Sequence, residues 1–463
     1  MSLFGSSHFG LPRLKPLSSK RSHVVSVLDI GSTKVVCMIG RLTPRGESQI
    51  LPGRTHSIEV IGIGHHKSRG MKNGVIADLD ACESVVRLAV DAAERMAGLT
   101  IDSLIVNISA GRLQSDIYTA TIDLGGQEVD AADLKRVLSA AGQQSLRQDR
   151  VILHSLPTGF SLDGERGIRD PLAMFGDVLG VDMHVLTAER AALKNLELCI
   201  NRAHLSVEGI VATPYASGLA ALVDDEVELG CAAIDMGGGT TTISVFAEGK
   251  LVHADAVSLG GHHVTTDLAR GLSTRIEDAE RLKVVHGSAL PNSTDERDIV
   301  SVPPIGEDDR DQPTHVPRAL VSRIVRARIE ETLELIRDRI QRSGFSPIVG
   351  KRIVLTGGAS QLTGLPEAAR RILARNVRIG RPLGVSGLPA AAKGPAFSTA
   401  VGLMIYPQVA EMETHAAQGG LLSSLAGNNS RIARMGQWLK ESFETCDRER
   451  TGNFRDRWKS EEF

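Results

Sequence analysis

The chain has 463 residues, 42% of them hydrophobic, with 53 Lys and Arg against 55 Asp and Glu. That length holds about two to four domains and that composition buries a substantial core, which excludes a disordered chain. A formal net charge of −2 gives no bulk attraction to nucleic acid, five scattered cysteines without C-x-x-C spacing argue for a reducing compartment, and no run of about 20 apolar residues is present to span a membrane.

Residues 1–22 carry Pro12, Pro16, Arg13, Lys15, Lys20 and Arg21 without a continuous apolar run. They are expected to be a disordered basic leader and not a signal peptide. Ser26–Gly40, SVLDIGSTKVVCMIG, reads as strand, turn, strand: apolar residues lead to Asp29, then Gly31, Ser32, Thr33 and Lys34, then a second apolar run. A strand at Ile58–Ile63 and a loop at 68–74 follow. Asp78 caps a helix reaching about Ala97, with Leu79, Cys82, Val86, Ala89, Val90 and Ala93 on one face. Ser103–Ser109 is again a strand, so the first part alternates β and α as a layered α/β domain does. Residues 111–186 interrupt this pattern with a strand pair at 112–122, a helix from Asp130 and further strands. That segment reads as a compact α+β insert. A helix at 188–202, a strand at 208–211 and a helix opening at Thr213 resume the alternation.

Cys231–Phe246, CAAIDMGGGTTTISVF, repeats the first hairpin: apolar residues, Asp235, the run Gly237, Gly238 and Gly239, then Thr240 and a β-branched strand. Consecutive glycines let backbone N–H groups converge where any side chain would block an anion. A carboxylate at the strand end cannot bind that anion directly. It calls for a hard cation such as Mg²⁺ or its water shell in between. Two such turns, one after Asp29 and one after Asp235, suggest two similar half-domains facing each other across a nucleotide.

Glu280 and Lys283 are three residues apart on one helical face, which by itself is an exposed ion pair. Residues 288–316 read as a long surface loop. Arg318–Arg342 is a long helix with Leu320, Ile324, Ala327, Leu333, Ile336 and Ile340 as its apolar stripe. Then RIVLTGGASQLTGLPEAARRIL gives a buried strand, a turn at Gly357, Gly358 and Ala359, and a helix opened near Pro366. A last helix begins at Phe397, and the compact body is expected to end near Pro407.

Beyond it, 409–429 is polar and glycine-rich, as a flexible linker is. In 430–443 a helical wheel puts Ile432, Met435, Trp438, Leu439 and Phe443 on one face, with Arg434 and Lys440 opposite and Arg431 at the edge. That is the pattern of a helix lying in a lipid headgroup layer, and both tryptophans of the chain, Trp438 and Trp458, fall in this tail. Folding back onto the body is the other reading.

The order D-x-G-[ST]-T, D-x-GGG-T, strand-TGG-helix resembles the actin and heat-shock-chaperone ATPase superfamily. The combination of LDIGSTKV, SRGMKNGVI, IDMGGGTT, AERLKVVHG, RIVLTGGASQLTGLPEAARRI and the terminal GQWLKESF resembles the FtsA family of bacterial cell-division proteins across roughly Val24–Phe443. The resemblance implies an α/β actin-like fold. Its first half would be 23–110 and 187–228, with an FtsA-type insert at 111–186. Its second half would be 229–264 and 350–408, with a subdomain at 265–349. A linker at 409–429, a membrane-targeting helix at 430–443 and a charged tail at 444–463 would complete the chain.

It also implies ATP and Mg²⁺ as ligands, with the Asp29 and Asp235 turns, the TGG turn and the Glu280–Lys283 helix around the nucleotide. Thr213 stands where the superfamily commonly has the Glu or Gln that orients the attacking water, which favours tight binding with slow hydrolysis. The implied partners are the protein itself in an actin-like filament, lipid on the cytoplasmic face of the inner membrane at the septum, later division proteins, and FtsZ docking near Arg328 and Glu331. A pilus-assembly adaptor and a small-molecule kinase or phosphatase of the same fold are the alternatives.

Overall fold

The computed structural model describes residue 12 and residues 14–46, 54–109, 112–142, 149–305 and 313–413. Strands β1 (His23–Ile30), β2 (Lys34–Pro44) and β3 (His56–Lys67) form an antiparallel meander. Helix α1 (Leu79–Ala97) follows. The Asp78 side chain accepts the Ala81 N–H at 3.0 Å at its start, and Gly98 with φ of 68° ends it. Its buried face, Cys82, Val85, Val86, Ala89, Val90 and Ala93, recurs every three or four residues, as an amphipathic helix requires. Strand β4 (Ser103–Ile108) then pairs parallel with β1, bringing Leu28 level with Val106.

The insert comprises β5 (Gln114–Asp123), α2 (Ala131–Gly142), β6 (Arg150–Leu162), β7 (Glu165–Ile168) and β8 (Val178–Glu189), in a four-stranded sheet of order β5-β8-β6-β7. The expected strand pair at 112–122 is one continuous strand, because β5 pairs along its whole length with β8. Helix α3 (Arg190–Arg202), β9 (Ser206–Ala212) and α4 (Thr213–Ala221) return to the first half, whose sheet has the order β9-β4-β1-β2-β3 with the short strand Val385–Ser386 at its edge.

The second half repeats the meander with β10 (Cys231–Met236), β11 (Thr241–Ala247) and β12 (Lys250–Val257). Helices α5 (Gly261–Gly271) and α6 (Ile276–His286), the hairpin β13 (Ile299–Val302) and β14 (Thr314–Pro317), and α7 (Arg318–Arg342) follow. Strand β15 (Arg352–Thr356) pairs parallel with β10, and α8 (Leu365–Leu373) and β16 (Asn376–Ile379) complete a sheet of order β12-β11-β10-β15-β16. Helix α9 (Ser398–Ile405) closes back on the first half. The central strands β1 and β10 are buried almost throughout, as strands covered on both faces are.

Four further expectations change. The 288–316 segment is not only loop: β13 and β14 pair, and Val300 and Val302 are buried against Leu282. The stripe of α7 runs through Val321, Val325, Ile329, Leu333, Ile336 and Ile340, while Ala327 is exposed. The expected and observed stripes share Leu333, Ile336 and Ile340; in the first turns the buried positions are Val321 and Val325 instead of Leu320 and Ile324, about 100° of rotation, and the neighbouring elements choose between them. In the leader, Leu14 and Leu17 pack against the first-half core.

The body also continues past Pro407. Val409 is buried, and the carboxylate of buried Glu413 meets His154 Nδ1 at 3.0 Å. His154 Nε2 accepts the Ala212 N–H at 3.0 Å, so Nδ1 carries the proton it shares with Glu413. The rings of Tyr215 and Tyr406 stand edge-on to that imidazole.

Candidate functional site

The two glycine turns close in the same way. Gly31 N–H donates to Lys34 O at 3.0 Å, and Gly237 N–H donates to Thr240 O at 2.9 Å. In the second turn the N–H groups of Gly261 and His262 bond the carbonyls of Gly237 and Gly238, which spends those carbonyls on the start of α5. The turns meet across a cleft: a Cβ on Gly238 would fall 2.2 Å from Thr33 Cγ2. Only a glycine permits that approach.

Between the halves lies a cavity of about 440 Å³, within the usual range for a small-molecule or cofactor site. Asp29, Gly31, Ser32, Thr33 and Lys34 line it from one side, and Asp235, Gly237, Gly238, Gly239 and Thr240 from the other. Glu280 and Lys283 of α6, and Gly357, Gly358 and Ala359 after β15, complete the rim, with Thr213 at the first-half wall. Gly357 has φ of 84°, and a Cβ there would stand 2.2 Å from Asp235 Oδ1, so the TGG turn lies directly against the second carboxylate.

Sequence reasoning missed part of the lining. Val264, Val284, Ile329 and Leu362 make an apolar wall, in which Val284 of α6 is exposed to the cavity and not packed in the core. Thr399 Oγ1 donates to Asp235 Oδ2 at 2.9 Å. Asn107 Nδ2 donates to Asp29 Oδ1 at 2.7 Å and to Thr213 Oγ1 at 3.1 Å, and Ser109 Oγ meets Thr213 Oγ1 at 2.8 Å. A usable signal existed in Asn107 and Ser109, two polar residues closing an otherwise apolar strand.

Burial pushes the Asp29 carboxyl up to about 7, against the pull of Lys34 and with Asp235 adding to the rise. Burial also raises Asp235, opposed by the hydroxyls of Thr399 and Ser217. The same burial lowers Lys34, whose ammonium stands 3.4 Å from the centre of the Phe397 ring and donates to Ala396 O. For Glu280, burial is outweighed by hydrogen bonds from Lys283 and Thr265, at 2.6 and 2.5 Å, which hold the carboxyl below its usual range.

The residues fit a cation that arrives with phosphates. Among the described residues no group of three or more His, Cys, Asp or Glu could hold a metal ion. Two acidic tips alone do not make a protein cage, and Mg²⁺ keeps several waters and phosphate ligands. The hydroxyl of Thr242 is buried without a hydrogen-bond partner, and Thr242 lines the cavity and pairs across the hairpin with Asp235, so a water or anion within its reach would satisfy it.

Arg328 and Glu331 lie on α7. Arg328 forks onto Asp267 of α5 at 2.5 and 3.2 Å and reaches Glu331 at 2.6 Å. Arg431, Ile432, Arg434, Met435, Trp438, Leu439, Lys440 and Phe443 lie outside the described residues, as does everything after Glu413.

Comparison with known proteins places this architecture. The family model described as "Cell division protein FtsA" matches residues 232–402, and that described as "SHS2 domain inserted in FTSA" matches residues 110–187. A cell division protein FtsA of Rhizobium meliloti (strain 1021) is 93% identical over 443 residues, covering 96% of this chain and 100% of the relative. The chain belongs to the FtsA family of cell-division proteins. More distant FtsA relatives match over nearly the same length: that of Escherichia coli (strain K12) is 31% identical over 423 residues, 90% of this chain and 97% of the relative. A solved structure titled "PilM-PilN type IV pilus biogenesis complex" is similar with a TM-score of 0.57 and 14% identity, over 83% of this chain and 98% of that one. At that identity the likeness is one of fold alone, so it does not carry the pilus-assembly alternative. This FtsA-family chain therefore has the expected α/β fold, two similar halves with the FtsA-type insert between elements of the first.

Proposed function

We propose that this FtsA-family cell-division protein binds ATP with Mg²⁺ between its halves and that the bound state sets self-association at the membrane. One observation carries the nucleotide part: all fifteen residues assigned to it from the sequence line a single cavity. The glycine turns suit the phosphates, approached from opposite sides by Gly238 and by Ser32 and Thr33. The apolar wall of Val264, Val284, Ile329 and Leu362 suits a flat base, with Glu280 and Lys283 at the ribose. Bound there with the phosphates, Mg²⁺ would neutralise their charge, with Asp29, Asp235 and Thr242 holding its waters. Thr213 offers a hydroxyl and no base, so the chain favours holding ATP over turning it over.

Tethering follows from the tail. A linker and an amphipathic segment at 430–443 suit reversible lipid contact, which a filament of many copies strengthens by avidity. FtsZ, docking near Arg328 and Glu331, would thereby be held at the inner face of the membrane, and later division proteins recruited there. Calorimetry of the whole chain with Mg–ATP tests the first part; uptake by the wild type, lost in D235N, is expected, and no uptake by folded protein sinks it. Vesicle pelleting tests the second. Truncation after Ala426 should abolish pelleting with anionic vesicles, and retained pelleting removes the tether.

A further inference from the structure

Asn107 lies outside every motif used above, yet it is 3% exposed and bonded to three residues of two other elements, β1 and α4. Its Oδ1 accepts the Ile30 N–H at 2.8 Å, which settles which end of the amide is oxygen. Both Nδ2 hydrogens are then committed, one to Asp29 Oδ1 at 2.7 Å and one to Thr213 Oγ1 at 3.1 Å. The strand register explains the placement. Asn107 sits one residue past the Leu28–Val106 pair, beside Asp29 at the end of β1.

The second half provides an internal control. Thr356 occupies the matching place beside Asp235. Its hydroxyl turns away, to Ser398 Oγ at 2.6 Å and to the carbonyls of Gly380 and Pro395. Asp235 takes its donor from Thr399 on α9 instead. The bridge from a strand-end carboxylate to the first residue of a helix is thus peculiar to the first half.

We propose that Asn107 is a positioning residue that fixes the rotamer of Asp29 and the acceptor role of Thr213, so that the cation side and the attack side of the cleft act as one unit. Because Asn107 donates to it, Thr213 Oγ1 is an acceptor on that side, and its own proton goes to Ser109 or into the cavity. A water beside Thr213 is therefore held but not deprotonated. The inference rests on the nucleotide reading of the cleft and deepens it.

The test is a double-mutant cycle on the whole chain, reading Mg–ATP affinity and, separately, ADP affinity in the absence of Mg²⁺. N107L removes both donors at similar volume and should weaken Mg–ATP by about ten-fold, the loss expected when a charge-assisted hydrogen bond goes, with Mg-free ADP within about two-fold. T213V should weaken Mg–ATP in the wild type and have little further effect in N107L. T399V, acting on the other carboxylate, should add in full. N107S gives a second route if N107L does not fold: its hydroxyl is too short to span Asp29 and Thr213, and it should show the same coupling.

Equal losses of Mg–ATP and Mg-free ADP, or additivity between positions 107 and 213, overturn the proposal. If the wild type itself takes up no nucleotide, the reading of the cleft fails instead, and the two failures are told apart.

Discussion

Asp29 and Asp235 end matching strands, and each is followed by a turn closed over the same three-residue span, Gly31 to Lys34 and Gly237 to Thr240. The side chains serving the two carboxylates differ. The first has the amide of Asn107 and the ammonium of Lys34, which occupies the position that Thr240 holds in the second. The second has the hydroxyls of Thr399 and Ser217, the TGG turn pressed against it and the unpartnered hydroxyl of Thr242 alongside. Backbone geometry is repeated in the two turns, each closed by a glycine N–H onto the carbonyl three residues on. The chemistry around it is not repeated, and the first turn carries the charge compensation while the second is built from neutral donors and close backbone.

The largest expected effect breaks or upholds that contrast through pH. In the ligand-free protein Asp29 rises from 3.8 to about 7, equivalent to about 4 kcal/mol. A carboxyl raised in the folded state favours folding fully below 3.8, and that contribution is lost as pH rises to about 7. The wild type should therefore lose stability from pH 4 to pH 7 relative to D29N and run parallel to it above, as urea midpoints would show. Parallel curves throughout would mean that Asp29 is not held in a dry site.

G357A is next. A Cβ there meets Asp235 Oδ1 at 2.2 Å and Met236 O at 2.6 Å with φ at 84°, so a loss of about 3 kcal/mol and of nucleotide binding is expected. At Gly31 the tightest contact is Lys34 O at 2.9 Å, and G31A should cost about 1–2 kcal/mol. Equal melting temperatures for the two variants would remove the asymmetry between the turns.

T399V sharpens the comparison with the smallest effect. It leaves Asp235 with one hydroxyl donor fewer, worth about 1 kcal/mol, and should lower the melting temperature by a few degrees without altering the Asp29 pH response. A changed pH response would mean that the two carboxylates share one hydrogen-bond network.

How much of this was legible beforehand follows from the range of each interaction. Both acid-tipped hairpins, the TGG turn, the Asp78 cap and the insert at 111–186 are written in runs of adjacent residues, so alternation, glycine spacing and capping expose them. The Glu280–Lys283 pair is similarly local, three residues apart on one helix, and both side chains line the cavity. The reach of the body to Glu413 was not legible, because its partner His154 is 259 positions away. The last turns of the α7 stripe, Leu333, Ile336 and Ile340, were legible; its first turns were not, because a helix with apolar residues on adjacent rows has two candidate faces and the elements packed on it choose.

Residue order by itself therefore determined the fold, the family and the glycine-rich lining, since these depend on local backbone requirements that few residues meet. Only the folded chain decided which polar groups converge. Asn107 reaching Asp29 and Thr213 and Thr399 reaching Asp235 span 78, 106 and 164 residues, and these contacts, like the turning of Val284 to the cavity, depend on strand register and helix placement that no local pattern encodes.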